Sequence, residues 1–150
     1  MLSAVASARK LRTAAKNYSE KRPMYGDSSW MDTAGRLLIV LSFLATGLCN
    51  LTRGRIADHI ERMAAFGTPA PAAAFWTGIA LQFAGCALLL LGWHEELGVW
   101  CLIVFTVAAT AIFHRFWRMQ DPARRNTSRI ILLGNTAILG GLVLLLGNLQ

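Results

Sequence analysis

The chain has 150 residues, the length of one domain, and is 55% hydrophobic with only 15% charged residues, against roughly 25% charged in ordinary soluble domains. So little charge excludes an ordinary water-facing surface and points to a lipid-exposed protein. The formal net charge of +7 sits at the ends of apolar runs rather than among surface aromatics, which argues against nucleic acid and for anionic phospholipids or an acidic partner.

Residues 1–33 form a basic N-terminal extension. Its opening, MLSAVASARKLRTAAKNYS, carries no acid before Glu20 and is rich in Ala, Ser, Arg and Lys. That is the composition of a mitochondrial targeting segment. With Met1 present, the same stretch is expected to act as a docking arm held by a larger assembly.

Residues 34–150 are expected to be a four-helix transmembrane domain. A hydrocarbon core needs about 20 mostly apolar residues per helix, and four windows qualify: Ala34 to Leu51, Ala72 to Trp93, Leu97 to Trp117, and Ile130 to Leu149. Arg36 lies close enough to the end of the first to snorkel to the surface. Trp30, Trp76, Trp93, Trp100 and Trp117 fall at or near span ends, where membrane interfaces favour tryptophan. Between the first two spans, Ile56, Ile60, Met63 and Ala64 recur at helical spacing beside Arg55, Asp58, Glu61 and Arg62. This predicts a short amphipathic helix lying in the interface and ended by Gly67 and Pro69. The fold class is therefore an all-α membrane protein, an up-down bundle of four transmembrane helices with one interfacial helix. Positive charges near the span ends divide almost evenly between the two sides and do not fix its orientation.

Each span carries a thin polar stripe. Ser42, Thr46 and Asn50 mark the first, Gln82 and Cys86 the second, Thr106, Thr110 and His114 the third, and Asn135 the fourth. Positions four apart share a face, so alternating helix direction brings Asn50, Thr110, His114 and Asn135 toward one membrane side, with Gln82 nearer the middle. None is a carboxylate. This intramembrane polar cluster is expected to hydrogen-bond across helices, at about 0.6 kcal/mol per contact; a pocket for a small molecule or a quinone headgroup is the competing reading.

No catalytic, cofactor-binding or metal-binding residues are expected. His94 and His114 fall at opposite ends of the third span, so they cannot share a haem inside the bundle, and no level of the chain offers a metal-ligand set. The three cysteines, Cys49, Cys86 and Cys101, are widely spaced within apolar segments and read as small hydrophobes. In the last span Gly134, Ala137, Gly140, Gly141 and Gly147 form a small-residue seam suited to close helix packing.

The stretch FHRFWRMQDPARRN, Phe113 to Asn126, concentrates charge against an apolar run. Asp121-Pro122 is expected to start a turn, with Asp121 bonding nearby backbone or an arginine. Arg115, Arg118, Arg124, Arg125 and Arg129 ring the interface, as contacts for phosphate headgroups or for partner subunits. His114 and Asp121 have no nucleophile pattern beside them.

That stretch, followed by LLGNTAILGGLVLLLG, resembles the DoxX-like family of small four-helix membrane proteins, as do Arg36-Leu37, Phe43 to Gly47 and LQFAGCALLLLGW. The resemblance runs from about Arg36 to Gly147. Two positions depart from it: Gln82 stands where members commonly have a glutamate, and Gly134 where they have a lysine, so both potential charges are missing together. Some members resemble small subunits of quinone-linked oxidoreductases such as thiosulfate:quinone oxidoreductase, and others are membrane partners of redox enzymes. The resemblance implies association with a redox assembly rather than a reaction carried by this chain. The expected function is a non-catalytic accessory subunit of a large respiratory-type membrane complex, in the mitochondrial inner membrane or a bacterial plasma membrane. The alternative is a quinone-binding membrane component of a DoxX-type oxidoreductase. A solute carrier is disfavoured, because no span is broken or carries inward charge.

Overall fold

The computed structural model describes residues 30–149, with the side chain of Arg118 outside that description. The basic extension therefore lies outside the described residues except for its last few, which begin the first helix. Chain contacts divide the protein into two units, Met1–Ala34 and Gly35–Gln150, and the helical bundle belongs to the second.

The described residues form five α-helices, α1 (Trp30–Asn50), α2 (Arg53–Ala65), α3 (Pro71–Leu91), α4 (Glu95–Phe113) and α5 (Pro122–Leu149), with a 3-10 turn at Phe116–Arg118. All but α2 are long and apolar enough to cross a membrane. No strand occurs among the described residues. The boundaries follow local chemistry. Gly92 ends α3 in the left-handed region at φ 65°, where a side chain would be strained, and Trp93 N–H closes the turn on the Leu88 carbonyl at 3.2 Å. Three residues later α4 runs back beside α3. Gly67 at φ 74° makes the corresponding break after α2, and Pro71 opens α3 at a position where its missing N–H costs nothing.

Helices α3 and α4 approach each other closely at Gly85 and Gly98. A Cβ on Gly85 would lie 2.8 Å from Leu102 Cγ and 2.9 Å from the Gly98 carbonyl oxygen. This corrects the expected packing seam. Gly134, Gly140, Gly141 and Gly147 of α5 all face open space within the unit, because α5 turns Ser128, Leu142 and Leu145 inward instead.

Among the described residues two apolar clusters organise the interior. One joins Val40, Phe43, Cys86, Leu89, Val99, Leu102, Leu142 and Leu145 from all four spans. The other joins Met63 of α2 to Phe75 and Ile79 of α3, with Ile56 and Ile60 half-buried against it. Arg55, Asp58, Glu61 and Arg62 occupy the exposed side of α2. The outer surface of the spans is strongly apolar: Leu38, Leu91 and Leu144 are each about seven-tenths exposed, at 69%, 75% and 73%. Patches of that size are not left bare in a water-soluble monomer. Trp76, Trp93, Trp100 and Trp117 are more than half exposed, as expected for rings seated among headgroups.

Candidate functional site

Hydrogen bonding explains how the polar stripes are spent. On α1, the Thr46 hydroxyl is within reach of the Ser42 and Phe43 carbonyls of its own helix, at 2.9 and 3.0 Å. Gln82, only 1% exposed, crosses from α3 and donates Nε2 to the Phe43 carbonyl at 2.7 Å and to Thr46 Oγ1 at 3.1 Å. A carbonyl can only accept, which fixes the orientation of the amide. Oε1 is then the half of Gln82 that has no partner. Asn135 of α5 donates to Thr110 Oγ1 of α4 at 2.8 Å. His114 caps the C-terminal end of α4 and meets Ser128 Oγ at 3.4 Å through Nδ1. Burial pushes its imidazole below the ordinary histidine range, favouring the neutral form.

These groups surround a cavity of about 630 Å³, within the range of small-molecule sites. Asn50, Gln82, His114 and Asn135 all line it, whereas Thr110 joins only through its bond to Asn135. The walls are mostly apolar, with Phe43, Phe75, Phe105, Ile112 and Phe113 among them. The ionisable lining residues that the sequence-derived cluster lacked are His59 and Arg62, both from α2. The His59 ring packs against Phe75 and Phe113, at centroid distances of 5.8 and 5.3 Å, and its Nδ1 lies 2.6 Å from the Arg55 carbonyl. Its signal was readable: Ile56, His59, Ile60 and Met63 follow i, i+3, i+4, i+7 spacing, so they share the inward face of α2.

The arginine-rich connection is largely self-satisfied. Arg125 clamps the Met119 carbonyl with Nε at 3.0 Å and Nη2 at 2.9 Å, and Arg115 donates Nε to the Ala111 carbonyl at 2.8 Å. Asp121 accepts from the Ala123 N–H at 3.1 Å, capping α5 beside Pro122, and lies 3.7 Å from exposed Arg124. Arg129 stands over the Phe116 ring at 5.8 Å. The side chain of Arg118 lies outside the described residues.

At the opposite end, Arg36 does not simply snorkel. It donates Nη1 to Glu95 Oε1 at 2.5 Å, and Glu95, only 8% exposed, is the first residue of α4 rather than part of a connection. A carboxylate is therefore buried at a span end, where none was expected. His94 precedes it as the N-cap, a full helix length from His114. Among the described residues no group of three His, Cys, Asp or Glu side chains could hold a metal ion, and the three cysteines are free thiols.

Comparison with protein families gives a match to the DoxX family over residues 31–115, more than half of the chain. It covers α1 to α4 and stops before the 3-10 turn and α5. Comparisons with curated proteins and with solved structures gave no match.

Proposed function

The chain belongs to the DoxX family, an integral membrane protein by its apolar spans, and on that premise we propose that it serves as a non-catalytic accessory subunit of a larger membrane redox assembly of respiratory type. The observation that carries this reading is where the intramembrane polar groups go. Gln82 binds α3 to α1, and Asn135 binds α5 to α4; each ties one helix to another instead of forming a nucleophile–base pair. The interfacial arginines likewise hold backbone carbonyls at Met119 and Ala111. Exposed Arg124 remains as a surface contact for phospholipid headgroups or acidic partners. In this reading α2 lies in the membrane interface, and the composition of residues 1–33 favours the mitochondrial inner membrane over a bacterial plasma membrane.

The cavity favours a second reading, a quinone headgroup held near Gln82, His114 and Asn135. Substitution separates the two. Under the accessory reading Gln82→Leu and His114→Ala leave turnover of the assembly unchanged, and deletion of residues 1–30 releases the subunit. Under the quinone reading the same two substitutions abolish quinone-dependent turnover while assembly persists.

A further inference from the structure

The cavity has an end and a direction. Asn50, His59, Arg62, Phe75, Phe113 and His114 all belong to the α2 end of the unit, whereas Ser42, Gln82 and Phe105 lie deeper. From Asn50 to Ser42 along α1 is about 12 Å at 1.5 Å per residue, close to half of a hydrocarbon core about 30 Å thick. The cavity thus reaches from one interface to near the midplane, the depth of one leaflet.

Its charge is one-sided. Among the described residues Arg62 is the one formally charged side chain in the lining, and no Asp or Glu contributes to it. Arg62 makes no ion pair among the described residues, although Asp58 and Glu61 lie on the same helix. His59 stands beside it, its Nδ1 donating to the Arg55 carbonyl at 2.6 Å, so the hydrogen-bond donor that the rim offers to an anion is Arg62. Below this rim the walls are mostly aromatic and aliphatic, with Thr46, Gln82, Thr106 and Asn135 among them.

A cationic rim above a mostly apolar shaft one leaflet deep is complementary to an anionic head on a hydrocarbon chain. We propose that this cavity binds one anionic amphiphile, its carboxylate or phosphate oxygens at Arg62 and its acyl chain along Phe75, Phe105 and Ile112. Neither the accessory role nor a quinone headgroup requires an anion, so the inference goes beyond both. Arginine suits the task because its planar fork engages two oxygens at once.

Native mass spectrometry of the full-length protein, exchanged with dioleoylphosphatidylglycerol, dioleoylphosphatidylcholine, oleate or ubiquinone, tests this. The expected result is retention of phosphatidylglycerol or oleate over phosphatidylcholine. Arg62→Gln should weaken that retention by about fivefold, the scale of one cation–headgroup contact, and Arg62→Lys should restore most of it. Ala109→Phe, which fills the shaft without touching the rim, should also expel the ligand. Retention of oleate alone assigns a free fatty acid, and of phosphatidylglycerol alone a membrane phospholipid. Equal retention of both phospholipids, indifference to Ala109→Phe, or ubiquinone binding that outcompetes the anions and ignores Arg62→Gln would each overturn the proposal. The Arg62 and Ala109 variants are compared at matched thermal stability, so loss of fold is distinguished from loss of ligand.

Discussion

Arg36 of α1 and Glu95 of α4 meet at 2.5 Å, joining the beginnings of two spans through a half-buried ion pair. Neither partner is fully satisfied: Arg36 Nε and Glu95 Oε2 are buried and without hydrogen-bond partners. Such a pair is costly to break from one side, because the remaining charge stays desolvated.

Arg36→Leu should therefore destabilise the protein by about 3 kcal/mol, the lower part of the range for buried pairs, since Arg36 is itself a quarter exposed at 24%. Adding Glu95→Leu to that variant should recover a large part of the loss. Thermal unfolding in detergent measures both. If the double variant is less stable than Arg36→Leu, the pair is not the coupled unit described.

Gly85→Ala should separate α3 from α4. The new Cβ would meet Leu102 and the Gly98 carbonyl below 3.0 Å, and overpacking of this kind costs about 1–3 kcal/mol. Gly134→Ala, facing open space, should be neutral or stabilising by up to about 1 kcal/mol through helix propensity. Equal melting temperatures for the two variants would contradict the assigned contact.

Stability should fall as pH drops below about 6.5, the value for an unperturbed histidine. Burial lowers the folded-state pKa of His114, so between the two values the unfolded chain binds more protons and gains from acidification. The contribution is whole above the unfolded value and is lost below it. Melting curves from pH 7.5 to 5 should slope less in His114→Gln than in the native chain. Identical slopes would remove His114 as the source.

Arg125→Ala should loosen the Met119 connection by about 1 kcal/mol or less, since it deletes two exposed side-chain bonds to one carbonyl. Arg124→Ala, 81% exposed and 3.7 Å from its partner, should change stability by no more than about 0.5 kcal/mol. Paired unfolding curves distinguish a clamp from a surface charge.

Much of the fold was legible in the sequence because the bilayer imposes it. Unbroken apolar stretches of span length gave the four long helices, and four-residue spacing placed Asn50, His114 and Asn135 at one end. What stayed hidden depends on relative rotation. Gly85 and Gly98 are no different in sequence from Gly134 and Gly140, yet only the first pair meets another helix. Glu95 reads as a polar connection until Gly92 breaks α3 early enough for α4 to start there. Arg62 sits beside acidic neighbours in sequence, and its place at the cavity rim follows only from how α2 packs on Phe75 and Ile79.

Gentle detergent extraction, native gel separation and mass spectrometry of the co-migrating proteins test the proposed membership of a larger redox assembly most directly. This chain should appear in stoichiometric amount with subunits of a membrane redox complex. Migration alone, or as a small homo-oligomer, would contradict that membership.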